Sequence, residues 1–390
     1  MVRADTAEFD PAQRLLIRAL TDLAQLDEYC RETRKNLDWT QVFELAETQG
    51  VFPLLASRLE AVNQFLDQEV RTAVRHRFEL HVRRSLVMTS ELVRILQLLS
   101  SIKIEAIPFK GPALAVSLYG DVASREYSDL DVLVKRAQVA AAAAAMRHAG
   151  YSQVYPVKEE HQERFLDSNY ELAFSSPAGI LIELHWDIAP RHFSMALPAQ
   201  ELWAPLETVV VGGMQAPALS PENLLLALSV HGAHHLWRKL AWMLDIHRLI
   251  AITPEINFGQ VLRRARGAGI ERIVLLALAL VQSVFHTPLP ADVQQAIAQD
   301  RAVAALAGEV RRELLFHEGF SDVQFHGFLL RVRERWQDRV RYASRFVLTP
   351  TMQEWTTVRL PRPVHFLYSG MRVLRGVAKA GRMVYRSVRG

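Results

Sequence analysis

Apolar residues recur at spacings of three and four through the first hundred positions, a period that predicts helices throughout that stretch. Asp10-Pro11 reads as an N-cap followed by proline at the first helical position, opening a helix to about Arg34. Asp38 can cap the next helix, and Gly50 fits the position just past its end. The chain then turns through Val51 to Val62 into a long helix over Leu66 to Ser101, with Val70, Val74, Phe78 and Val82 on one face. From Ile102 to Val211 short β-type runs alternate with helical ones. Ala106 to Lys110, Leu130 to Val134, Ile180 to Trp186 and Thr208 to Val211 are predicted strands, and Pro112 to Tyr119 and Val139 to His148 predicted helices. Ser220-Pro221 repeats the cap-and-proline signal. Helices follow over about Glu222 to His235, Leu240 to Ile250, Gly259 to Arg266 and Ile270 to Phe285, with Pro254, Pro288, Pro290, Pro350, Pro361 and Pro363 as breakers.

Four regions are therefore expected: a helical one over 1–101, a small α/β unit over 102–215, a helical one over 216–350 and a tail over 351–390. A length of 390 residues suits such a division. Half of the residues are hydrophobic and 23% charged, a globular composition that excludes disorder as the main state. A net charge of +4 is too mild to mark a nucleic-acid binder. Cys30 stands alone, so neither an internal disulfide nor a CxxC zinc site is expected. The start, MVRADTAEFDPAQ, lacks the apolar stretch of a secretory signal, and the longest apolar run, Ile273 to Val281, is far short of the roughly 20 residues that span a bilayer. A cytoplasmic location is the expectation.

The candidate chemistry lies in Phe109-Lys110-Gly111-Pro112-Ala113-Leu114, then Leu118-Tyr119-Gly120, then Arg125-Glu126-Tyr127-Ser128-Asp129-Leu130-Asp131. This is a strand, a glycine turn, a helix, and a strand that begins with two acids. Side chains alternate along a strand, so Asp129 and Asp131 point to one face. Two such carboxylates repel unless a cation relieves them, and hard oxygen ligands suit Mg²⁺ or Mn²⁺, which also bind substrate phosphates. Gly111 lets a phosphate approach the backbone, and the start of the following helix favours an anion. Lys110 and Arg125 would add positive charge, and Ser128 stands beside the acids.

That combination resembles the nucleotidyltransferases of the DNA polymerase β superfamily, whose signature is a glycine turn after a strand, a helix, and a strand bearing Asp-x-Asp. KGPALAVSLYGDVASREYSDLDVLV is most similar to the branch with Lys-Gly in place of Gly-Ser and an arginine four residues before the acids, shared by toxin-type nucleotidyltransferases and by an uncharacterised nucleotidyltransferase family. The resemblance to that family extends to Glu183-Leu184-His185-Trp186 and to a histidine-rich helix, His231-Gly-Ala-His234-His235-Leu-Trp237-Arg238, running on to Trp242 and Asp245. It implies an α+β fold with a small mixed-sheet core flanked by helical regions. It implies two-metal transfer of a nucleoside monophosphate from an NTP to an acceptor hydroxyl, with pyrophosphate released. Asp129, Asp131 and Glu183 would be the metal ligands and catalytic acids, and Lys110, Gly111, Arg125 and Ser128 would bind the nucleotide.

On Ile180 to Asp187, Glu183, His185 and Asp187 share one strand face and Ile182, Leu184 and Trp186 the other. His185 and Asp187 are candidates for supporting that third carboxylate, His185 by holding Glu183 in place. The sequence departs from the superfamily in lacking the phosphate-contacting serine of Gly-Ser. A second registration would put Gly120 in the role of Gly111. The four-residue spacing of His231 and His235 is zinc-like but reads better as a packed or pocket-lining pair, and Trp237, Arg238, Trp242 and Asp245 as core and ion-pair residues, some of them lining an acceptor pocket. Arg372, Arg375, Lys379, Arg382, Arg386 and Arg389 step by three and four into a basic stripe, suited to RNA, an anionic membrane surface or an acidic protein. The alternatives to an active enzyme of this kind are a catalytically silent nucleotide-binding scaffold and a toxin-like transferase acting on tRNA.

Overall fold

The computed structural model describes residues 9–33, 37–155, 162–190, 193, 199–316, 321–348, 367–371 and 375. Of the basic stripe only Arg375 is among them; the rest lies outside the described residues.

The first helices are α1 (Pro11–Thr21), α2 (Leu23–Thr33), α3 (Trp39–Thr48), α4 (Phe52–Ala61) and the long α5 (Gln68–Ser101). Asp10 and Asp38 cap α1 and α3 as their positions predict. The single helix expected to run to Arg34 is instead two, broken at Asp22, whose backbone is extended. The Asp22 carboxylate accepts from the Ala24 N–H at 2.8 Å and the Gln25 amide at 3.1 Å, so a side-chain cap competes with the helix and restarts it.

The middle of the chain runs β1 (Ala106–Pro108), α6 (Gly111–Tyr119), β2 (Asp129–Val134), α7 (Val139–His148), β3 (Ser152–Gln153), α8 (Gln162–Ser168), β4 (Glu171–Ser175), β5 (Leu181–His185), β6 (Leu206–Val211) and β7 (Met214–Leu219). Five strands form a mixed sheet in the order β1-β2-β5-β4-β3, in which only β2 and β5 are parallel. The β6-β7 hairpin packs beside β1 and α6. Then come α9 (Pro221–His234), α10 (Leu240–Ile252), α11 (Phe258–Ala268), α12 (Glu271–Phe285), α13 (Ala291–Gln299), α14 (Arg301–Glu309), α15 (Asp322–Arg331) and α16 (Trp336–Leu348). The fold is α+β, a small mixed sheet flanked by helices.

Strand alternation decides which face of the sheet is dry. Leu130, Val132 and Val134 of β2, Leu172 and Phe174 of β4, and Ile182 and Leu184 of β5 pack against Met88, Leu92, Ile95 and Leu99 of α5 and against Ala142, Ala143 and Met146 of α7. The opposite face carries the acids and turns toward the helices. A second core joins α1, α3 and α4 to α9, α10 and α12, through Leu15, Leu16, Phe52, Leu55, Val230, Leu244 and Leu276 among others. Helices from both ends of the chain thus share one apolar interior, and the polar face of the sheet is closed against it. None of the described helices is long and apolar enough to cross a membrane.

Candidate active site

The register of the sheet brings the acids together. Asp131 of β2 stands opposite Glu183 of β5, and His185 stands opposite Glu171 of β4, so three adjacent strands contribute to one polar face. His185 Nε2 lies 3.0 Å from Asp131 Oδ1 and 3.3 Å from Glu183 Oε2, and its Nδ1 lies 3.5 Å from Glu171 Oε2 without a hydrogen bond. Lys110 Nζ reaches the same Asp131 oxygen at 2.6 Å.

These contacts set the charge states. Burial works against the His185 imidazolium, but hydrogen bonds to Asp131 and Glu183 outweigh it and push its pKa up to about 9. Burial likewise opposes the Asp131 carboxylate, which Lys110 and His185 hold well below the usual range. Asp129, two residues away on the same face, is pushed up to about 6 by burial and by the Asp131 charge. Asp129 lines the cavity, but the donor atoms that gather within 4.8 Å of one another are those of Asp131, Glu183 and His185. His185 therefore joins the close donor set in the place expected for Asp129. The carboxylates of Asp131 and Glu183, with the Asp129 carboxyl beside them, are a donor set that fits a divalent cation, and His185 would join it on giving up its proton.

Gly111 opens α6 at φ +61°, and a Cβ there would stand 3.4 Å from the Asp129 carbonyl, so this turn lies against the start of the acid-bearing strand. Gly120 instead closes α6 as a left-handed C-cap. Ser128 is exposed and lines the cavity. Arg125 also lines it, but its guanidinium is taken: Nε lies 3.0 Å and 3.1 Å from the two Asp245 oxygens, and Nη2 2.9 Å from one of them. It therefore reaches phosphate less readily than the sequence suggests. Asp187 accepts from the Ile188 N–H at 2.8 Å and lies outside the cavity lining, and burial pushes its carboxyl up to about 6.

The cavity, of about 400 Å³, is roofed by the histidine-rich turn. His231, His234 and His235 line it, each held neutral chiefly by burial: His231 well below the ordinary imidazole range, His234 at about 4, His235 at about 3. The His231 and His235 rings stand 4.6 Å apart, and Trp242 meets His231 edge-on at 5.4 Å and His235 at a tilt at 5.2 Å. Trp237 is a core residue, fully buried under Gly232.

Residues 35–286 match the family described as uncharacterised nucleotidyltransferase. The chain belongs to that family. The matched span contains every residue that lines the cavity. A solved structure, that of an antigenic nucleotidyltransferase-like protein from Paracoccidioides brasiliensis, is similar at 16% identity and a TM-score of 0.30, over 56% of this chain and 91% of that one, a likeness too slight to fix any detail of the site. No curated protein matches the chain.

Sequence reasoning assigned no role to several lining residues: Glu47, Arg84, Glu126, Tyr170, Glu171 and Lys239. Glu171 had a usable signal, because the run Glu-Leu-Ala-Phe-Ser alternates and would place it on the polar side of a strand. Glu126 stands inside the quoted motif but at no position its pattern marks, and the rest come from segments far apart in the chain, where no spacing announces them.

Proposed function

We propose that the protein transfers a nucleoside monophosphate from an NTP to a hydroxyl of an acceptor and releases pyrophosphate. The observation that carries this reading is the convergence of Asp129, Asp131, Glu183 and His185 beside Lys110 in one cavity, within a chain of the nucleotidyltransferase family. Asp131 and Glu183, with Asp129 or His185 completing the set, would hold the divalent ion, Mg²⁺ or Mn²⁺. Bound there, such an ion supplies charge neutralisation for the triphosphate and a lowered pKa for the acceptor hydroxyl.

The chain's own groups do the rest. Lys110, which directly precedes α6, and Ser128 line the cavity and would meet phosphate oxygens, whereas Gly111 is buried outside the lining and Pro112 offers no N–H, so the start of α6 supports the site from behind. Lys110 keeps Asp131 ionised and its own ammonium close to the phosphates. Glu183 accepts the proton of the acceptor hydroxyl as its oxygen attacks the α-phosphorus, and the bond to pyrophosphate breaks. His185 fixes the orientation of Asp131 and Glu183. Arg125 acts at one remove, anchoring the start of β2 to α10 through Asp245.

A second reading, nucleotide binding without turnover, is favoured by one observation: Lys110 and His185 already neutralise Asp131, as a structural ion pair would. Calorimetric titration of each NTP with Mg²⁺ or Mn²⁺ separates the possibilities. Because Asp131 is also the counter-ion of two buried cations, the informative variants are Asp129→Ala and Glu183→Gln, which leave that pairing in place. The transferase reading expects metal-dependent binding that either variant weakens at least about tenfold, followed by label transfer in an acceptor screen. Absence of NTP binding by the folded wild-type chain overturns it, and binding with no transfer to any acceptor moves the assignment to the silent reading.

A further inference from the structure

The cavity has two chemically different ends. At the sheet end the cations are engaged, Lys110 by Asp131 and Arg125 by Asp245. At the other end Arg84 of α5 and Lys239, just before α10, line the same cavity, both exposed and neither ion-paired among the described residues. Glu126 lines the same cavity, within reach of the charges of Arg84 and Lys239. Its Oε2 is buried without a hydrogen-bond partner, a costly arrangement unless something in the cavity supplies a donor. The charges of Arg84 and Lys239 both act on this carboxyl, and that of Glu47, itself paired with Arg77 at 2.6 Å, opposes them. Burial leaves it at about 7, able at neutral pH to accept a hydrogen bond or to give one. A second cavity of about 560 Å³ adjoins this end, with Lys239 and Trp242 lining both, so a ligand held here has room to extend outward.

We propose that Arg84, Lys239 and Glu126 form the acceptor subsite, and that the acceptor carries an anionic group, phosphate or carboxylate, beside its hydroxyls. The inference rests on the nucleotidyl-transfer reading above. Two unpaired cations from different elements make a site for an anion. An acceptor anchored there by its charge, with one hydroxyl on Glu126, presents a further hydroxyl toward Asp129 and Glu183 in the same cavity. The triphosphate would be met at the sheet end, by Lys110, Ser128 and the divalent ion on the acids, which leaves this pair free for the second substrate.

The test titrates the full chain, saturated with a non-hydrolysable NTP analogue and Mg²⁺, with inorganic phosphate, with acetate and with glycerol 3-phosphate. One anion is expected to bind per chain, and the preference between phosphate and acetate names the group the acceptor carries. Arg84→Gln/Lys239→Gln should weaken it by about tenfold or more while the analogue's affinity stays within about twofold. Glu126→Ala should abolish the preference for glycerol 3-phosphate over phosphate. The proposal is overturned if no probe binds, if binding survives the double substitution, or if the analogue loses as much affinity as the anion, which would assign the pair to the triphosphate. Should the wild-type chain fail to bind the analogue, the transfer reading is what fails, and the same titration of the nucleotide-free chain still decides whether Arg84 and Lys239 hold an anion.

Discussion

Glu126 shows how much the setting of one side chain can alter its chemistry. It stands three residues before Asp129, between an arginine locked into an ion pair and a buried tyrosine, and sequence alone marks it as an ordinary surface acid. Burial raises its carboxyl to about 7, helped by Glu47 and opposed by Lys239 and Arg84. The folded state therefore binds a proton that the unfolded state has lost between the ordinary glutamate range and pH 7. Stability from this group is fully present at low pH and drains away as pH rises toward 7. Glu126→Gln removes the penalty of ionising in place. The variant should unfold at higher urea than the wild type at pH 8, by up to ~3 kcal/mol, and the two curves should converge below about pH 5. Equal stabilities at pH 8 would show that water reaches this carboxylate and that the cavity does not desolvate it.

Elements that announce themselves by capping or by long periodicity were legible in the sequence. The helix over Val139–His148 has the predicted bounds, and α9 and α12 begin and end within one residue of expectation. What escaped is instructive. β4 is an interior strand of only five residues, beginning in Glu171 and ending in Ser175, with two buried apolar positions that a loop could equally carry. β7 contains Pro217, which argues against a strand, although Gly212-Gly213 between two β-type runs is a hairpin signal that outweighs it. The strands that carry Asp129, Asp131 and Glu183 were visible, since an alternating run with acids on one side has few other readings; the order of the sheet was not, because register is fixed by contacts remote in sequence. The histidine-rich helix depends on a detail of the same kind. A Cβ on Gly232 would overlap the Trp237 ring, so this glycine is what lets the indole fold back under α9. Gly232→Ala should cost about 1–3 kcal/mol by overpacking and should tilt the turn that carries His234 and His235. Chemical denaturation reads the first effect and quenching of Trp242 fluorescence the second; an unchanged midpoint would mean that Trp237 repacks freely.

Across the whole molecule, the sheet and the helices meet through a buried ion pair whose two members the sequence marks separately, Arg125 as a phosphate-binding cation and Asp245 as an ion-pair residue, without pairing them. Arg125 precedes β2, Asp245 lies in the middle of α10, and 120 residues separate them. Their relative exposures are 8% and 1%, so neither charge is solvated, and the Tyr119 hydroxyl donates to Asp245 at 2.9 Å. Burying such a pair brings little net stability compared with apolar residues, but removing one partner strands the other. Asp245→Ala should therefore destabilise by about 3–5 kcal/mol, because Arg125 cannot shed its proton and has no second carboxylate within reach among its hydrogen-bond partners. Arg125→Met should cost less, since Asp245 keeps the tyrosine hydroxyl. Arg125→Met/Asp245→Leu should fall well short of the sum, and the shortfall measures the coupling between the two parts of the fold. If the single costs simply add, the pair is no link and the shared apolar core alone holds the sheet against the helices. If the coupling is large, β2 and α10 are held to one another at the point where Asp129 and Asp131 face the histidine-lined wall, and the width of the cavity is set by that contact.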